Sequence, residues 1–400
     1  MTYYAPAGTP VTLGDIAREA VAASAAASDA VAATLRRISG LEHAWPISSG
    51  RAGMTVVLQA MRATRGDPSI NEVIVPAYTC YSVPAAIERA GLRPRLCDVD
   101  PATLGMDPES LDRCDFSRTL AVISANLYGL PNALGEIEAI CRRRGVFLLD
   151  DAAQALGAKL DGRAAGSFGD AGLYSFDKGK IISTIQGGAV VCRPSDLSAH
   201  LEVLLSELAP SAFLESTGNL VKLVVYSIFL RPSLYGIIRW LPFTGLGHTR
   251  YETHYPVTAL TRWQAGVAAR LLERLPELNG RRRMLAGAYQ TALAGVPGIE
   301  IVPSLAGAEP AFARYPFRVR KPETRDRVVA ALDRAGIGAT ASYPSSLADV
   351  PEVIERIPAT DRDCPGARTV ARTIITLPTH AFCPLEIADR ARRTLIECLA

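Results

Sequence analysis

Two lysines lie in a polar loop between apolar runs at residues 171–176 and 189–192. The loop reads Ser175-Phe176-Asp177-Lys178-Gly179-Lys180 and continues through two isoleucines to a pair of glycines. A lysine that forms an imine with a carbonyl compound needs an unprotonated amine, which partial desolvation favours by lowering the amine pKa. Lys180, with the two isoleucines directly after it, suits this chemistry better than Lys178. Taken alone, either lysine is more often an ordinary loop cation.

A pair of carboxylates follows an apolar run, in the stretch Leu148-Leu149-Asp150-Asp151-Ala152-Ala153-Gln154. A pyridine ring withdraws electrons best when its nitrogen is protonated, and a buried carboxylate beside that nitrogen raises the nitrogen's pKa. Asp151 is suited to this task. The competing interpretation is a structural cap at the end of a strand, which carboxylates at such junctions commonly provide.

A third feature is the run Ser48-Ser49-Gly50-Arg51-Ala52-Gly53, which leads into residues of good helix-forming type. Small residues at a helix start allow backbone N–H groups to approach a phosphate, and the helix dipole favours the negative charge. By itself the motif is weak, because many helices begin with serine and glycine for capping alone.

Short apolar runs alternate with helical stretches between residues 48 and 193. The runs lie at 73–76, 95–99, 120–123 and 146–150, with helical candidates around 56–64, 82–90 and 134–144. This alternation predicts repeated βαβ units, hence an α/β fold with a mostly parallel sheet covered by helices. Ligands bind beyond the carboxyl ends of the strands in such sheets, where the three features above are expected to meet.

The chain as a whole is predicted to have four parts. An alanine-rich stretch from Leu13 to Ile38 predicts one helix, and Thr261–Leu275 predicts another, with the basic cluster Arg281–Arg283 on its solvated continuation. A predicted strand at 315–319, a helix at 324–335 and a second strand at 374–377 indicate a small C-terminal α+β domain. The predicted limits are an N-terminal helical segment at 1–47, a large domain at 48–260 with a hydrophobic insertion near 213–247, linking helices at 261–310 and the small domain at 311–400.

Composition fits a globular enzyme. The 400 residues are 48% hydrophobic, and 43 Lys and Arg nearly balance 40 Asp and Glu, so we expect no nucleic-acid partner. The eight cysteines form no Cys-x-x-Cys pair, and no histidine stands at metal-ligand spacing, so no metal site is predicted. The N-terminal stretch lacks the pattern of a secretory signal, which makes the cytoplasm the expected location.

The order of the three features resembles that of the DegT/StrS family of sugar aminotransferases, which depend on pyridoxal phosphate and have the fold type I architecture. The resemblance is strong up to about residue 195 and looser after it, with echoes at Gly336-Ile337-Gly338, Tyr343-Pro344 and Leu377-Pro378. The stretches that carry it are Val75-Pro76-Ala77-Tyr78-Thr79, Asp98-Val99-Asp100, Asn126-Leu127-Tyr128-Gly129, Asp150 to Ala155, Gly166 to Ala171, Ser175-Phe176 with Lys180, and Gly187 to Val190.

The resemblance implies a role for each matching residue. The Schiff-base lysine falls on Lys180, with Lys178 as the fallback. The partner of the pyridine nitrogen falls on Asp151, and the companion of the ring hydroxyl falls on Gln154. The phosphate contacts fall on Gly50, Arg51, Ala52 and Ser175.

Two residues are candidates for the side chain that covers the cofactor ring. Relatives often have an aromatic residue after the Pro-x-x-Thr motif, whereas this chain has Cys80 there, with Tyr81 beside it. Either residue could cover the ring. Cys80 occupies the matching position.

Other departures concern the substrate side. Many relatives carry an Asn-Tyr-Arg-Met run that reaches the neighbouring subunit's cofactor, and this chain has Val257-Thr258-Ala259-Leu260 instead. A glycine-glutamate pair is replaced by Ile185-Gln186, and a histidine by Asn126. The acceptor therefore stays open between a nucleotide-linked keto sugar and a related keto substrate.

The implied activity is transamination in two half-reactions, with glutamate as the expected amino donor and a homodimer as the expected assembly. Relatives that dehydrate their substrates have histidine in place of the lysine, so Lys180 favours transamination. The main alternative is another reaction of the same fold, such as carbon–carbon bond formation or cleavage. A non-catalytic pyridoxal-phosphate-binding regulator is disfavoured, because both the lysine and the acid are present.

The hydrophobic insertion has two interpretations. We favour packing at a dimer interface or against the mouth of the active site, because apolar stretches tend to be buried. The alternative is a surface for a lipid-linked substrate or a membrane boundary, with Lys222, Arg231 and Arg239 facing lipid headgroups. Neither apolar run reaches the roughly 18–20 residues that a membrane-spanning helix requires.

Overall fold

The computed structural model describes residues 2–22, 24–238 and 251–400. The strands of these residues are, in chain order, β1 (His43–Ile47), β2 (Glu72–Pro76), β3 (Arg93–Cys97), β4 (Thr119–Ala125), β5 (Phe147–Asp151), β6 (Lys159–Leu160), β7 (Arg163–Ala164), β8 (Ala171–Ser175), β9 (Gly188–Cys192), β10 (Ile299–Ile301), β11 (Ala308–Glu309), β12 (Arg314–Val319) and β13 (Ile374–Pro378).

The α-helices are, in chain order, α1 (Leu13–Ala22), α2 (Ala26–Ser39), α3 (Gly50–Arg65), α4 (Ser82–Arg89), α5 (Pro108–Asp112), α6 (Leu134–Arg144), α7 (Asp196–Ser206), α8 (Phe213–Phe229), α9 (Pro232–Ile238), α10 (Arg262–Glu273), α11 (Leu275–Leu293), α12 (Arg325–Arg334), α13 (Pro351–Ile354), α14 (Pro365–Thr373) and α15 (Ile387–Leu399).

A seven-stranded sheet forms the centre of the molecule, in the order β1-β9-β8-β5-β4-β2-β3. The pairs from β8 through β5, β4 and β2 to β3 are parallel, whereas β9 runs antiparallel to both β8 and β1. Helix α3 contacts β1, β4, β8 and β9, and α4 contacts β2 and β3. Helix α2 contacts β1 and β9, and α6 contacts β4 and β5. The predicted α/β fold with a mostly parallel, helix-covered sheet is confirmed.

A second sheet of three antiparallel strands, β10-β12-β13, packs with α11, α12 and α15 around its own apolar core. The predicted strands at 315–319 and 374–377 and the helix at 324–335 are confirmed as β12, β13 and α12. The sheet already begins at β10, whose Ile299 pairs with Val319.

The single helix predicted from Leu13 to Ile38 is wrong, because two helices, α1 and α2, occupy this stretch. Ser24 Oγ accepts a hydrogen bond from the backbone N–H of Ala26 at 3.1 Å, just before α2 begins. A serine that bonds its neighbouring backbone competes with helix continuation, which the alanine-rich composition did not reveal.

The hydrophobic insertion contains α8 and α9, and the remainder of its second apolar run, with Arg239, lies outside the described residues. Helix α8 packs against α1, with Leu223 buried and Ser216 Oγ accepting from the indole N–H of Trp263 at 2.9 Å. Within the described ranges, no helix is both long enough and apolar enough to cross a membrane.

Candidate active site

The lysine loop leaves the sheet at the end of β8 and returns as β9. It is closed by the N–H of Phe176 donating to Gly187 O at 2.8 Å and by the N–H of Thr184 donating to Phe176 O at 2.9 Å. Ile181 and Ile182 are buried, which fixes the segment just after Lys180. Lys180 lines the pocket at this edge of the sheet, whereas Lys178 is exposed and is absent from that lining.

Arg282 of α11 holds the same loop in place through hydrogen bonds. Its guanidinium donates to the backbone oxygens of Gly8, Ile181 and Ala313 and to Thr379 Oγ1, at 2.8 to 3.4 Å. Burial lowers the pKa of Arg282 to about 10, so the side chain stays cationic at neutral pH. The prediction of a solvated Arg281–Arg283 cluster is therefore wrong for its central member, because Arg282 ties the N-terminal segment, the lysine loop and the small sheet together.

Replacing Arg282 by methionine should lower the free energy of unfolding by about 3–5 kcal/mol, since the buried acceptors lose their donors while most of the side-chain volume is kept. Denaturant unfolding measures this change. Arg283→Met on the exposed side of the same helix is the matched control and should change stability by less than about 0.5 kcal/mol. Equal effects of the two substitutions would contradict the anchoring role.

The carboxylate pair ends β5, and the alternation of a strand sends the two side chains to opposite faces. Asp150 is fully buried and accepts from Asn126 Nδ2 at 2.7 Å and from the N–H groups of Gly166 and Phe168 at 2.6 and 3.2 Å. Burial raises the pKa of Asp150 to about 7, against the effect of these three donors. Asp150 therefore fastens the ends of β4 and β5 to the following loop.

Asp151 lines the pocket instead. Its Oδ1 accepts from the N–H of Ala153 at 2.9 Å, and 8% of the residue is exposed. Burial raises the pKa of this carboxyl, while the Ala153 N–H and the charge of Lys180 oppose that rise. Asp151 is therefore available to a ligand in the pocket, whereas Asp150 is shielded from it.

The N-terminus of α3 forms another wall. Ser49 caps the helix, because its Oγ accepts from the N–H of Ala52 at 3.1 Å and its carbonyl accepts from Gly53. The first-turn N–H groups of Gly50 and Arg51 have no acceptor within the helix and are available to an anion. A Cβ at Gly50 would lie 2.9 Å from Ser175 Cβ, so only glycine allows this close approach of helix and strand.

The structure brings together all the predicted site residues except Ala52. Gly50, Arg51, Cys80, Asp151, Gln154, Ser175 and Lys180 all line one pocket. Ala52 differs from the prediction, because its side chain is buried in the core and its N–H is taken by Ser49. An additional member that the sequence did not single out is Asp177, which lies in the lysine loop but whose burial depends on the fold.

Cys80, and not Tyr81, lies on the pocket wall. The Tyr81 hydroxyl turns to Ser345 Oγ at 2.6 Å, and the ring is buried. Gln154 is held at both ends of its amide: Oε1 accepts from the N–H of Tyr128 at 3.1 Å, and Nε2 donates to the Tyr343 hydroxyl at 3.0 Å. A side chain fixed in this way presents its remaining N–H in one direction.

The pocket opens to solvent, and the space not filled by atoms within it and at its mouth is about 470 Å³. Its walls carry an amine, a partly shielded carboxylate and the first-turn N–H groups of α3. This donor set fits a ligand with a carbonyl carbon, a basic ring nitrogen and a phosphate, which is the chemistry of pyridoxal phosphate. The full lining comprises Gly50, Arg51, Met54, Thr79, Cys80, Ser82, Ala125, Asn126, Leu127, Asp151, Ala153, Gln154, Leu173, Ser175, Asp177 and Lys180.

Known proteins resemble this chain in sequence and in fold. The model of the DegT/DnrJ/EryC1/StrS aminotransferase family matches residues 14–214 and 231–393. A relative from Saccharopolyspora spinosa, dTDP-4-dehydro-2,3,6-trideoxy-D-glucose 4-aminotransferase, is 27% identical over 336 residues, which are 84% of this chain and 78% of the relative.

Two solved structures show the same fold. Helicobacter pylori PseC, an aminotransferase involved in the biosynthesis of pseudoaminic acid, is 17% identical with a TM-score of 0.80 over 99% of both chains. A synthase of 3-amino-5-hydroxybenzoic acid is 21% identical with a TM-score of 0.78, covering 100% of this chain and 99% of the synthase. The predicted fold type I architecture is confirmed.

Proposed function

Because this chain belongs to the DegT/DnrJ/EryC1/StrS aminotransferase family, we propose that it transfers an amino group from glutamate to a nucleotide-linked keto sugar, with pyridoxal 5′-phosphate held in the pocket described above. The observation that carries the proposal is the meeting of Lys180, Asp151 and the N-terminus of α3 in one cavity. These three parts come from separate elements of the chain, and each suits a different part of the cofactor.

The residues that would hold the cofactor follow from their chemistry. Gly50, Arg51 and Ser175 would hold the phosphate, Asp151 would pair with the ring nitrogen and Gln154 with the ring hydroxyl, and Cys80 would cover the ring. When bound, the cofactor supplies an aldehyde carbon and an electron-withdrawing ring.

The chain's own groups then do three things. Lys180 Nζ holds the cofactor and serves as the base that removes a proton from the substrate carbon and returns it. Asp151 keeps a proton on the ring nitrogen through its negative charge. The anchored loop and the fixed amide of Gln154 keep these groups in position, so that no rearrangement is needed during proton transfer.

The keto-sugar acceptor is supported by the Saccharopolyspora relative, which acts on a dTDP-linked sugar. The test is to load the enzyme with cofactor, convert it with glutamate, remove the glutamate and add a panel of keto-sugar nucleotides, aminocyclitol precursors and keto acids. Mass spectrometry of the products should show amination of a keto-sugar nucleotide at the highest rate. Conversion of keto acids alone would contradict the acceptor class, and failure of glutamate to convert the enzyme would favour another reaction of the same fold.

We also propose that the protein is a homodimer in which exposed apolar residues of α8 take part. Phe213, Leu214, Val221 and Val225 are 81, 84, 57 and 44% exposed, and we call them the α8 apolar face. Exposed apolar residues clustered on one helix typically mark an interface. The family resemblance supports a dimer because active sites there are completed by a second subunit.

Light scattering should give twice the 42.7 kDa of one chain. The triple substitution of Leu214, Val221 and Val225 by serine should weaken the dimer at least about tenfold, since a combined loss of about 1.4 kcal/mol from the three side chains corresponds to that factor. Val203→Ser, at an exposed valine of α7, is the control. An unchanged dimer would contradict this role of the α8 apolar face, and loss of sedimentation with anionic liposomes in the triple variant would assign the face to a membrane surface.

A further inference from the structure

Asp177 is a carboxylate inside the pocket to which the preceding chemistry gives no task. It follows β8 by two residues, and its backbone N–H donates to Ser175 Oγ at 3.3 Å. Its Oδ1 is shielded from solvent, and within the described part of the chain no group donates to that atom. A buried oxygen without a partner is costly, so a ligand is expected to supply what the protein does not.

The charges around Asp177 come from two elements. Lys180 faces it from the same loop and Arg51 from α3, and both favour the ionised carboxylate. Arg51 is shared, because its guanidinium also contacts Glu252 at 3.1 Å and lies 4.6 Å from the centre of the Tyr255 ring. Burial acts in the opposite direction and raises the pKa of Asp177.

On the premise of the proposed function, cofactor binding changes the balance between burial and the neighbouring positive charges that sets the protonation of Asp177. The phosphate brings about two negative charges at neutral pH to the wall formed by Gly50, Arg51 and Ser175. At the same time the amine of Lys180 becomes engaged with the cofactor. Asp177 and the phosphate then share the Arg51 guanidinium, while hydrogen bonds from Gly187 and Ser175 also favour the ionised Asp177 carboxylate. Two anions that share one pocket disfavour each other.

We propose that Asp177 belongs to the phosphate-binding end of the pocket and is protonated when the cofactor is bound, with its carboxyl O–H donating to a phosphate oxygen. The proton comes from solvent, so one proton is taken up at this residue for each cofactor bound. The hydrogen bond satisfies the buried oxygen, and neutralisation removes the repulsion between the two anions.

The proposed protonation of Asp177 fixes the direction in which cofactor affinity changes with pH. The residue releases its proton at a lower pH in the free pocket than in the loaded one. Between those two pKa values, the linkage of proton and cofactor weakens cofactor affinity up to tenfold for each unit of pH increase. Asparagine at position 177 offers an N–H donor at every pH, so Asp177→Asn should lose this contribution.

The experiment compares the dissociation constant of pyridoxal phosphate for the wild-type protein and Asp177→Asn between pH 6.5 and 9, by absorbance titration. Pyridoxal, which lacks the phosphate, is the matched ligand. The logarithm of the wild-type constant should rise with pH by up to one unit per pH unit more than that of the variant. The variant should bind at least about tenfold more tightly at pH 8.5, and pyridoxal should show no such difference.

Three results would overturn the assignment: equal pH slopes for both proteins, weaker binding by the variant across the range, or unchanged affinity with a raised KM for glutamate, which would place the carboxylate at the substrate. A wild-type protein that binds no pyridoxal phosphate would instead refute the proposed function.

If circular dichroism shows that Asp177→Asn does not fold, calorimetry of the wild-type protein at pH 8 in buffers of different ionisation enthalpy tests the assignment instead. Pyridoxal phosphate should then take up about one proton more than pyridoxal, and no difference would overturn the assignment.

Discussion

Replacing Lys180 by alanine is expected to lower kcat for transamination by about 10⁴-fold, since proton transfer by a positioned base contributes up to that factor. The variant also loses the nucleophile that holds the cofactor. Borohydride reduction of the loaded wild-type protein, followed by peptide mapping, should place a stable cofactor label on the peptide that contains Lys180. The Lys180→Ala protein should carry no label there.

Lys178 provides the matched control, because it lies two residues away in the same loop but is exposed and does not line the pocket. Lys178→Ala should keep the label on Lys180 and retain kcat within a few-fold. A label on Lys178, or no label in the wild-type protein, would refute the assignment of the reactive amine. Adding a primary amine to Lys180→Ala should restore part of the activity if the missing group acts as a base.

Asp151→Asn should lower kcat by about 10²–10³-fold, the usual effect of removing one preorganised charge that stabilises a reacting system. The amide keeps the size of the side chain and its contact with the Ala153 N–H but removes the negative charge that holds a proton on the ring nitrogen. Single-turnover kinetics with glutamate isolate this step. The cofactor should still be bound, because the phosphate contacts and Lys180 are untouched.

Asp150 is the matched contrast for this prediction, since it precedes Asp151 in the same strand but points away from the pocket into three hydrogen bonds. Asp150→Asn turns an amide donor toward groups that are themselves donors, so it should lower the free energy of unfolding by about 1–3 kcal/mol. A loss of kcat at Asp150→Asn that exceeds the loss at Asp151→Asn, in folded protein, would reverse the roles of the two carboxylates.

The strands β2 to β5, β8 and β9 of the central sheet were predictable because they are apolar runs, most of them separated by helical stretches, a pattern that local chain chemistry imposes. Strand β1 was missed, because it lies in the stretch 1–47 that was predicted to be helical. The reactive lysine, the acid at the end of β5 and the glycine at the start of α3 were predictable for a related reason. Each sits at a junction between elements, and the carboxyl ends of parallel strands meet at one edge of the sheet. The break between α1 and α2 was missed because helix propensity is a weak signal beside local serine bonding.

Periodicity and spacing are properties of neighbouring residues, so they were sufficient to predict most strands and helices of the large domain and the residue types at their ends. The burial of these residues and the groups that they face depend on the complete fold. Arg282 meets partners from residues 8, 181, 313 and 379, and the positive charge of Arg51 on α3 favours the ionised form of Asp177. Burial and charge at such sites depend on groups brought together from distant parts of the chain, which no local pattern contains.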